Sequence, residues 1–187
     1  MLLNVDILIQ EIISEVIFLT GFKKISPEQL SDNMFKLIAK DWTLIAAGDK
    51  ASYNMMTANW AGVGYLWMKH VAFVFIRPTR YTYEFTEKLD TMSLNFFTEE
   101  YRDILNLCGK KSGKEINKME ECRLTPVELS DGGIAFDESR LIFNCKKIST
   151  ANLKDFEILD SSFLKYYEND EFHKLYICEI TDVFIKE

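Results

Sequence analysis

The sequence predicts a mainly β fold, an antiparallel barrel with helices at its periphery. Many short β-branched and aromatic runs are separated by turn residues, and only short helical stretches lie between them, with no regular βαβ alternation. No Gly-rich fingerprint follows a strand, which argues against a Rossmann domain. The 187 residues suffice for one sizeable core, and a hydrophobic content of 48% with 14 Phe, 8 Tyr and 3 Trp argues against disorder while supplying rings for a flat ligand.

Taken in order, residues 1–20 read as an apolar N-terminal extension and residues 21–187 as a single domain. Asp6, Glu11 and Glu15 interrupt the apolar run of residues 2–19, and no basic leader or small-residue cleavage site accompanies it, so a signal peptide or spanning helix fits badly. A helix burying one face is expected there, with a β reading of residues 16–19 left open.

Residues 22–25 are extended, and Ser26-Pro27 starts a helix with Glu28 and Gln29 in its first turn. Residues 42–47 read as a buried strand ending at Gly48-Asp49, and residues 53–60 as the next. Gly62 and Gly64 loosen the chain before a central strand at 71–76, which Pro78 ends because it has no N–H for the ladder. Thr79 is placed to cap a helix running through Tyr81, Phe85 and Leu89.

Residues 91–97 alternate, with Met92, Leu94 and Phe96 on one side and Ser93 and Asn95 on the other. A short amphipathic helix over 99–107 is expected to stop at Cys108-Gly109 in a left-handed turn, followed by a basic loop at 110–114 and a helix over 115–122. Strands return at 124–129, 140–148 and 174–185, with a turn at Asp131-Gly132-Gly133. Between the last two lies an acidic, irregular segment, 152–170, anchored by Phe163, Tyr166 and Tyr167.

The net charge of −7 disfavours nucleic acid or an anionic membrane as partner, so an anionic ligand must be held by a local basic cluster. Cys108, Cys122, Cys145 and Cys178 form no CxxC pair and no zinc spacing, and the chain has 2 His, so a disulfide framework and a Cys- or multi-His metal centre are unsupported. A reducing cytoplasm is the simplest compartment.

Two stretches carry candidate chemistry. Where a strand gives way to a helix, Arg77 and Arg80 offer fork-shaped donors and Thr79 and Thr82 offer hydroxyls, a set that suits a phosphate monoester or, equally, an ordinary helix cap with surface arginines. Along the strand from Asn54 to Trp60, Asn54, Met56, Ala58 and Trp60 share one face and Met55, Thr57 and Asn59 the other, so Thr57 and Asn59 either hydrogen-bond a heteroaromatic ring or form the solvated side of a sheet. Cys108, beside Lys110, Lys111 and Ser112, is either a thiolate or phosphate contact or a buried small apolar side chain, with no resolving cysteine near in sequence. His173 precedes the last strand and has no triad partners, so the reaction falls to something other than side chains.

Together these stretches resemble the flavin reductase-like family with the FMN-binding split-barrel fold, in its flavoredoxin-like branch. The matching pieces are Phe22-Lys23-Lys24-Ile25, Trp42 to Gly48, Asn54 to Trp60, Phe75 to Thr82, Leu107 to Gly113 and His173 to Ile177, in that order. Cys178, where relatives usually carry Gly, and Asn59, where many carry Ser, depart from the pattern. The resemblance implies a homodimer with FMN at or near the subunit interface. By position, Asn54 belongs to the site strand, Thr57, Ala58, Asn59 and Trp60 run along the isoalloxazine, and Arg77, Thr79, Arg80, Tyr81 and Thr82 hold the ribityl phosphate. Cys108, Gly109, Lys110 and Ser112 match a loop that approaches the cofactor, and His173 a position near the flavin. The implied function is an FMN-dependent oxidoreductase that takes electrons from NAD(P)H or a protein donor. A non-enzymatic FMN electron carrier and a non-catalytic barrel for a phosphorylated ligand are the alternatives.

Overall fold

The computed structural model describes residues 19–187, so the helix expected over residues 2–19 falls almost wholly outside the described residues. Ten strands are present among the described residues: β1 (Phe22–Ile25), β2 (Thr43–Gly48), β3 (Tyr53–Ala58), β4 (Ala61–Leu66), β5 (Lys69–Ile76), β6 (Thr91–Phe96), β7 (Pro126–Glu128), β8 (Ile134–Phe136), β9 (Leu141–Asn152) and β10 (Lys174–Lys186). Four short helices accompany them: α1 (Met34–Lys36), which runs on into a π-type turn, α2 (Tyr81–Thr86), α3 (Arg102–Lys110) and α4 (Lys118–Cys122).

Eight strands form one antiparallel sheet, ordered β3-β2-β6-β9-β10-β5-β4 with β1 added alongside β10. The long β10 gives its first half to β5 and its second to β1, while irregular register against β9 at Ile177/Cys178 and Ile180/Asp182 bends it between the two tasks. Ile45 of β2, Met56 and Ala58 of β3, Val74 and Ile76 of β5 and Tyr176 of β10 share one buried cluster, so both ends of the sheet close over the same core.

A second core forms on the outer face of β2 and β3. Leu44, Ala46 and Met55 pack there against Leu105 and Cys108 of α3, Cys122 of α4 and Ile134 and Phe136 of β8. That is why β2 reads as an unbroken apolar run: all six of its residues are buried, and both faces need apolar side chains. In β6, Met92, Leu94 and Phe96 face the barrel core as expected, while Ser93 and Asn95 on the other side are also buried. They are tolerated because they are paired. Asn95 donates to the Leu44 carbonyl (3.1 Å) and Ser93 Oγ (2.7 Å) and accepts from Phe136 N–H and Ser139 Oγ (both 3.3 Å).

Several local expectations are corrected. The stretch at Gly62 and Gly64 is a strand, β4, whose two glycines lie over the Phe73 ring on β5. Its hairpin to β5 turns through Trp67 and Met68, both at positive φ, without the Asn-Gly or Asp-Gly signal that marks such a turn in sequence. Ser26-Pro27 opens only a 3-10 turn (Pro27–Gln29), with Ser26 N–H donating to Gln29 Oε1 at 2.8 Å. The helix after Pro78 starts at Tyr81 with Arg80, rather than Thr79, as its N-cap, and ends at Thr86, short of Leu89. α3 continues through Gly109 to Lys110 with no left-handed residue there, and the helix expected from 115 begins at Lys118.

Candidate functional site

Consecutive strands β3 and β4 are not partners: β3 pairs with β2 and β4 with β5, at opposite ends of the sheet order. Asn59 and Trp60 carry the chain across this split. A cavity of about 270 Å³ opens at the crossing. Thr57, Ala58, Asn59 and Trp60 form one wall, and Arg77, Arg80 and His173, from the ends of β5 and β10 and the turn before α2, form the other. The antiparallel register that sets Lys174 opposite Ile76 brings His173 and Arg77 to the same end of the barrel.

The side chains are held in place. Trp60 lies against His173 with ring centroids 5.0 Å apart and meets Tyr166 edge-on at 5.4 Å. Arg77 donates to the Tyr166 carbonyl at 2.8 Å and lies 3.6 Å from the Glu171 carboxylate. Arg80 makes a 3.4 Å hydrogen bond to the Gly109 carbonyl and no ion pair among the described residues. Its charge remains available to a ligand. Gly109 lies close behind β3, where an added Cβ would sit 3.5 Å from Thr57 Cβ, and Thr57 Oγ1 donates to the Leu105 carbonyl at 2.6 Å.

Burial, reinforced by the charges of Arg77 and Arg80, pulls the His173 pKa down to about 4. The imidazole is therefore neutral at pH 7. Its Nδ1 is buried with no hydrogen-bond partner among the described residues, an orphaned polar atom of the kind that a ligand satisfies.

Other sequence candidates lie elsewhere. Asn54 and Tyr81 line an adjoining cavity of about 400 Å³ with Gly113, Lys114 and Lys118. The Asn54 amide donates to Thr82 Oγ1 at 2.8 Å, with both residues buried, so this pair fastens α2 to β3. Gly113 packs against it so closely that a Cβ would fall 2.3 Å from Asn54 Oδ1. Thr79 is exposed in the turn before α2, and Lys110 is exposed at the end of α3; neither lines the arginine cavity. Ser112 Oγ accepts from Lys114 N–H at 3.2 Å, bracing the loop.

Cys108 is 1% exposed in the second core, and its Sγ lies 3.3 Å from Cys122 Sγ, a neighbour that the separation in sequence concealed. The Cys108 thiol is held well above its usual pKa, first by its hydrogen bond to Cys122 and then by burial, so it is a packed thiol of the second core and does not line the arginine cavity. Beneath it, buried Lys118 donates to the carbonyls of Met55 and Cys108 at 2.8 Å each, and burial lowers its pKa. Two lining residues, Met56 and Phe75, lay outside the sequence candidates for this cavity. Phe75 was detectable in principle, because it alternates with core residues Val74 and Ile76 and so must point away from them.

Two guanidinium groups, an unpartnered imidazole nitrogen and an indole in one cleft suit a ligand that joins an anionic group to a flat heteroaromatic ring. Residues 35–187 match the family model described as flavin reductase like domain. The chain belongs to that family. Membership in the flavin reductase-like family indicates a flavin cofactor. Solved structures agree in fold. Flavoredoxin from Methanosarcina acetivorans aligns at a TM-score of 0.62 and 18% identity over 79% of this chain and 69% of that one. Flavoredoxin of Desulfovibrio vulgaris (Miyazaki F) aligns at 0.62 and 21%, over 88% and 78%. An FMN-binding domain of a flavin reductases-like enzyme from Shewanella baltica OS155 aligns at 0.64 and 15%, over 88% and 77%. No curated protein matches the sequence significantly. In this flavin reductase-like chain the FMN-binding split-barrel architecture is visible as the unpaired β3–β4 crossing. No helix among the described residues is long and apolar enough to cross a membrane.

Proposed function

We propose that this flavin reductase-like protein binds FMN at the β3–β4 split and acts as an oxidoreductase, taking electrons from NAD(P)H or from a redox protein. The observation that carries the reading is the meeting, across one cavity, of Arg80, whose charge no carboxylate among the described residues takes up, and His173 Nδ1, which has no hydrogen-bond partner among them. Arg77 and Arg80 hold the phosphate, and Trp60, His173 and the end of β3 flank the ring. The bound flavin supplies hydride and single-electron chemistry. The chain's own part is to bind, orient and leave one ring face open.

A cavity of about 270 Å³ is smaller than the roughly 300–1,000 Å³ of typical small-molecule sites, which supports a homodimer in which a second copy completes the site. The net charge of −7 fits a protein that binds neither nucleic acid nor anionic membrane, and four free cysteines fit a reducing cytoplasm. A second reading is a flavin electron carrier, in which the same site holds the FMN and a redox protein exchanges the electrons.

Adding FMN to the purified full chain and recording its absorbance tests the site; a flavin spectrum that remains free in solution after gel filtration refutes it. Stopped-flow mixing with NADH and with NADPH then separates the two readings. Rapid bleaching identifies a reductase, and inertness to both identifies the carrier.

A further inference from the structure

Trp60 is also a wall of a second chamber, of about 510 Å³ against about 270 Å³ for the arginine cavity. Leu153, Phe156 and Ile158, from the segment after β9, form one side. Phe163, Tyr166 and Tyr167, from the 3-10 turn Ser161–Asp170, form the other. Glu157 is the one charged residue on the lining. The rings are braced from behind: Tyr167 stacks on Phe172 at 4.4 Å and 8°, and Arg77 binds the Tyr166 carbonyl. The guanidinium that lines the arginine cavity therefore also positions a wall of the aromatic chamber.

We propose that this chamber binds a planar, uncharged aromatic compound with the shape of a quinone, next to the flavin site. This rests on the FMN reading of the neighbouring cavity. Ring faces and edges on several sides favour a flat π system, and a chamber of this volume fits a small organic molecule. Among the described residues Glu157 is the charged group on the lining and repels negative charge, while the nearby Lys165 ammonium is taken up over the Tyr166 ring, 5.2 Å from its centroid, so a dinucleotide carrying phosphates is disfavoured here. Phe156 and Phe163 are 49% and 53% exposed, which leaves a mouth through which a ligand enters without crossing the arginine cavity. The shared indole of Trp60 brings the two ligands into adjacent positions.

The test is equilibrium dialysis of the full chain against 2,3-dimethyl-1,4-naphthoquinone, whose blocked ring carbons resist addition by thiols, with and without FMN. Phe156→Asp and Phe163→Asp alter exposed positions and are expected to weaken quinone retention about tenfold each while FMN affinity stays within twofold. In the arm without FMN, where no flavin can pass electrons to the quinone, excess NADH is expected to leave quinone retention unchanged. No retention, equal retention by the variants, or displacement by NADH in that arm overturns the inference. So does a Phe163→Asp variant that changes from dimer to monomer on sedimentation while quinone binding persists, since the chamber is then an interface between copies. Quinone retention lost in the variants of a chain that never binds FMN supports the chamber and refutes the flavin reading instead.

Discussion

Replacing Arg80 by Ala is the sharpest probe of the phosphate assignment, because the structure separates what Arg80 does for the fold from what it does for a ligand. Within the protein it makes one long hydrogen bond, 3.4 Å to the Gly109 carbonyl, so its removal disturbs little. A bound phosphate gives it short, charge-assisted bonds, each worth about 1.5–3 kcal/mol. With Arg80 exposed to solvent, a loss towards the low end, about 2 kcal/mol, is expected, a rise of about 30-fold in the Kd for FMN. The comparison is Arg123→Ala, an exposed position following α4 and outside the cavity lining, which is expected to leave the Kd unchanged. Arg77→Ala should weaken FMN similarly but also loosen the segment around Tyr166 and Glu171, lowering thermal stability as Arg80→Ala does not. Titration of flavin fluorescence at low and moderate salt gives the affinities, with circular dichroism confirming folding. An Arg80→Ala Kd within threefold of the wild type, or an equal loss in Arg123→Ala, refutes the placement.

Other expectations follow from individual contacts. Gly113→Ala puts a methyl group 2.3 Å from Asn54 Oδ1 and 2.8 Å from the Tyr81 ring, forcing apart the Asn54–Thr82 bond; a destabilisation of about 2–3 kcal/mol, read as a drop in Tm, is expected, and an unchanged Tm contradicts it. Asn95→Ala strands its partners on β2, β6 and β8 and opens a small void, so urea unfolding should report a loss of about 3–4 kcal/mol; a loss under 1 kcal/mol means the network is dispensable. His173 is depressed from 6.5 to about 4, so between those values the unfolded chain binds the extra proton and stability falls as pH drops from about 6.5 towards about 4. At about 1.36 kcal/mol per unit the full shift is worth about 3 kcal/mol, which solvent screening of a half-buried ring reduces to about 1–2 kcal/mol. The difference in stability between pH 7 and pH 4 should therefore shrink by that amount in His173→Asn, and an identical pH profile removes the argument.

The sequence by itself determined the strands with strong one- or two-sided burial. The uniformly apolar β2 and the alternating β6 were legible because side-chain parity and burial impose the pattern locally. It also determined which residue types meet at the strand–turn junction of Arg77 to Thr82, and membership in the flavin reductase-like family through motifs kept in order. It did not determine which of those residues face one another. Thr82 and Asn54 look like ligand donors in a linear reading, yet they hold each other, and of the two readings open for Cys108 only the fold selects the buried one, against Cys122. The β4 hairpin was hidden because Trp67 and Met68 adopt positive φ without the glycine or asparagine that normally advertises it. Only the tertiary structure decided that β3 and β4 part company, and that the resulting gap places Trp60 between an arginine-lined cavity and an aromatic chamber. Periodicity is a property of neighbours in the chain. A cleft is a property of residues brought together by sheet closure, and its long-range pairings leave no local signature.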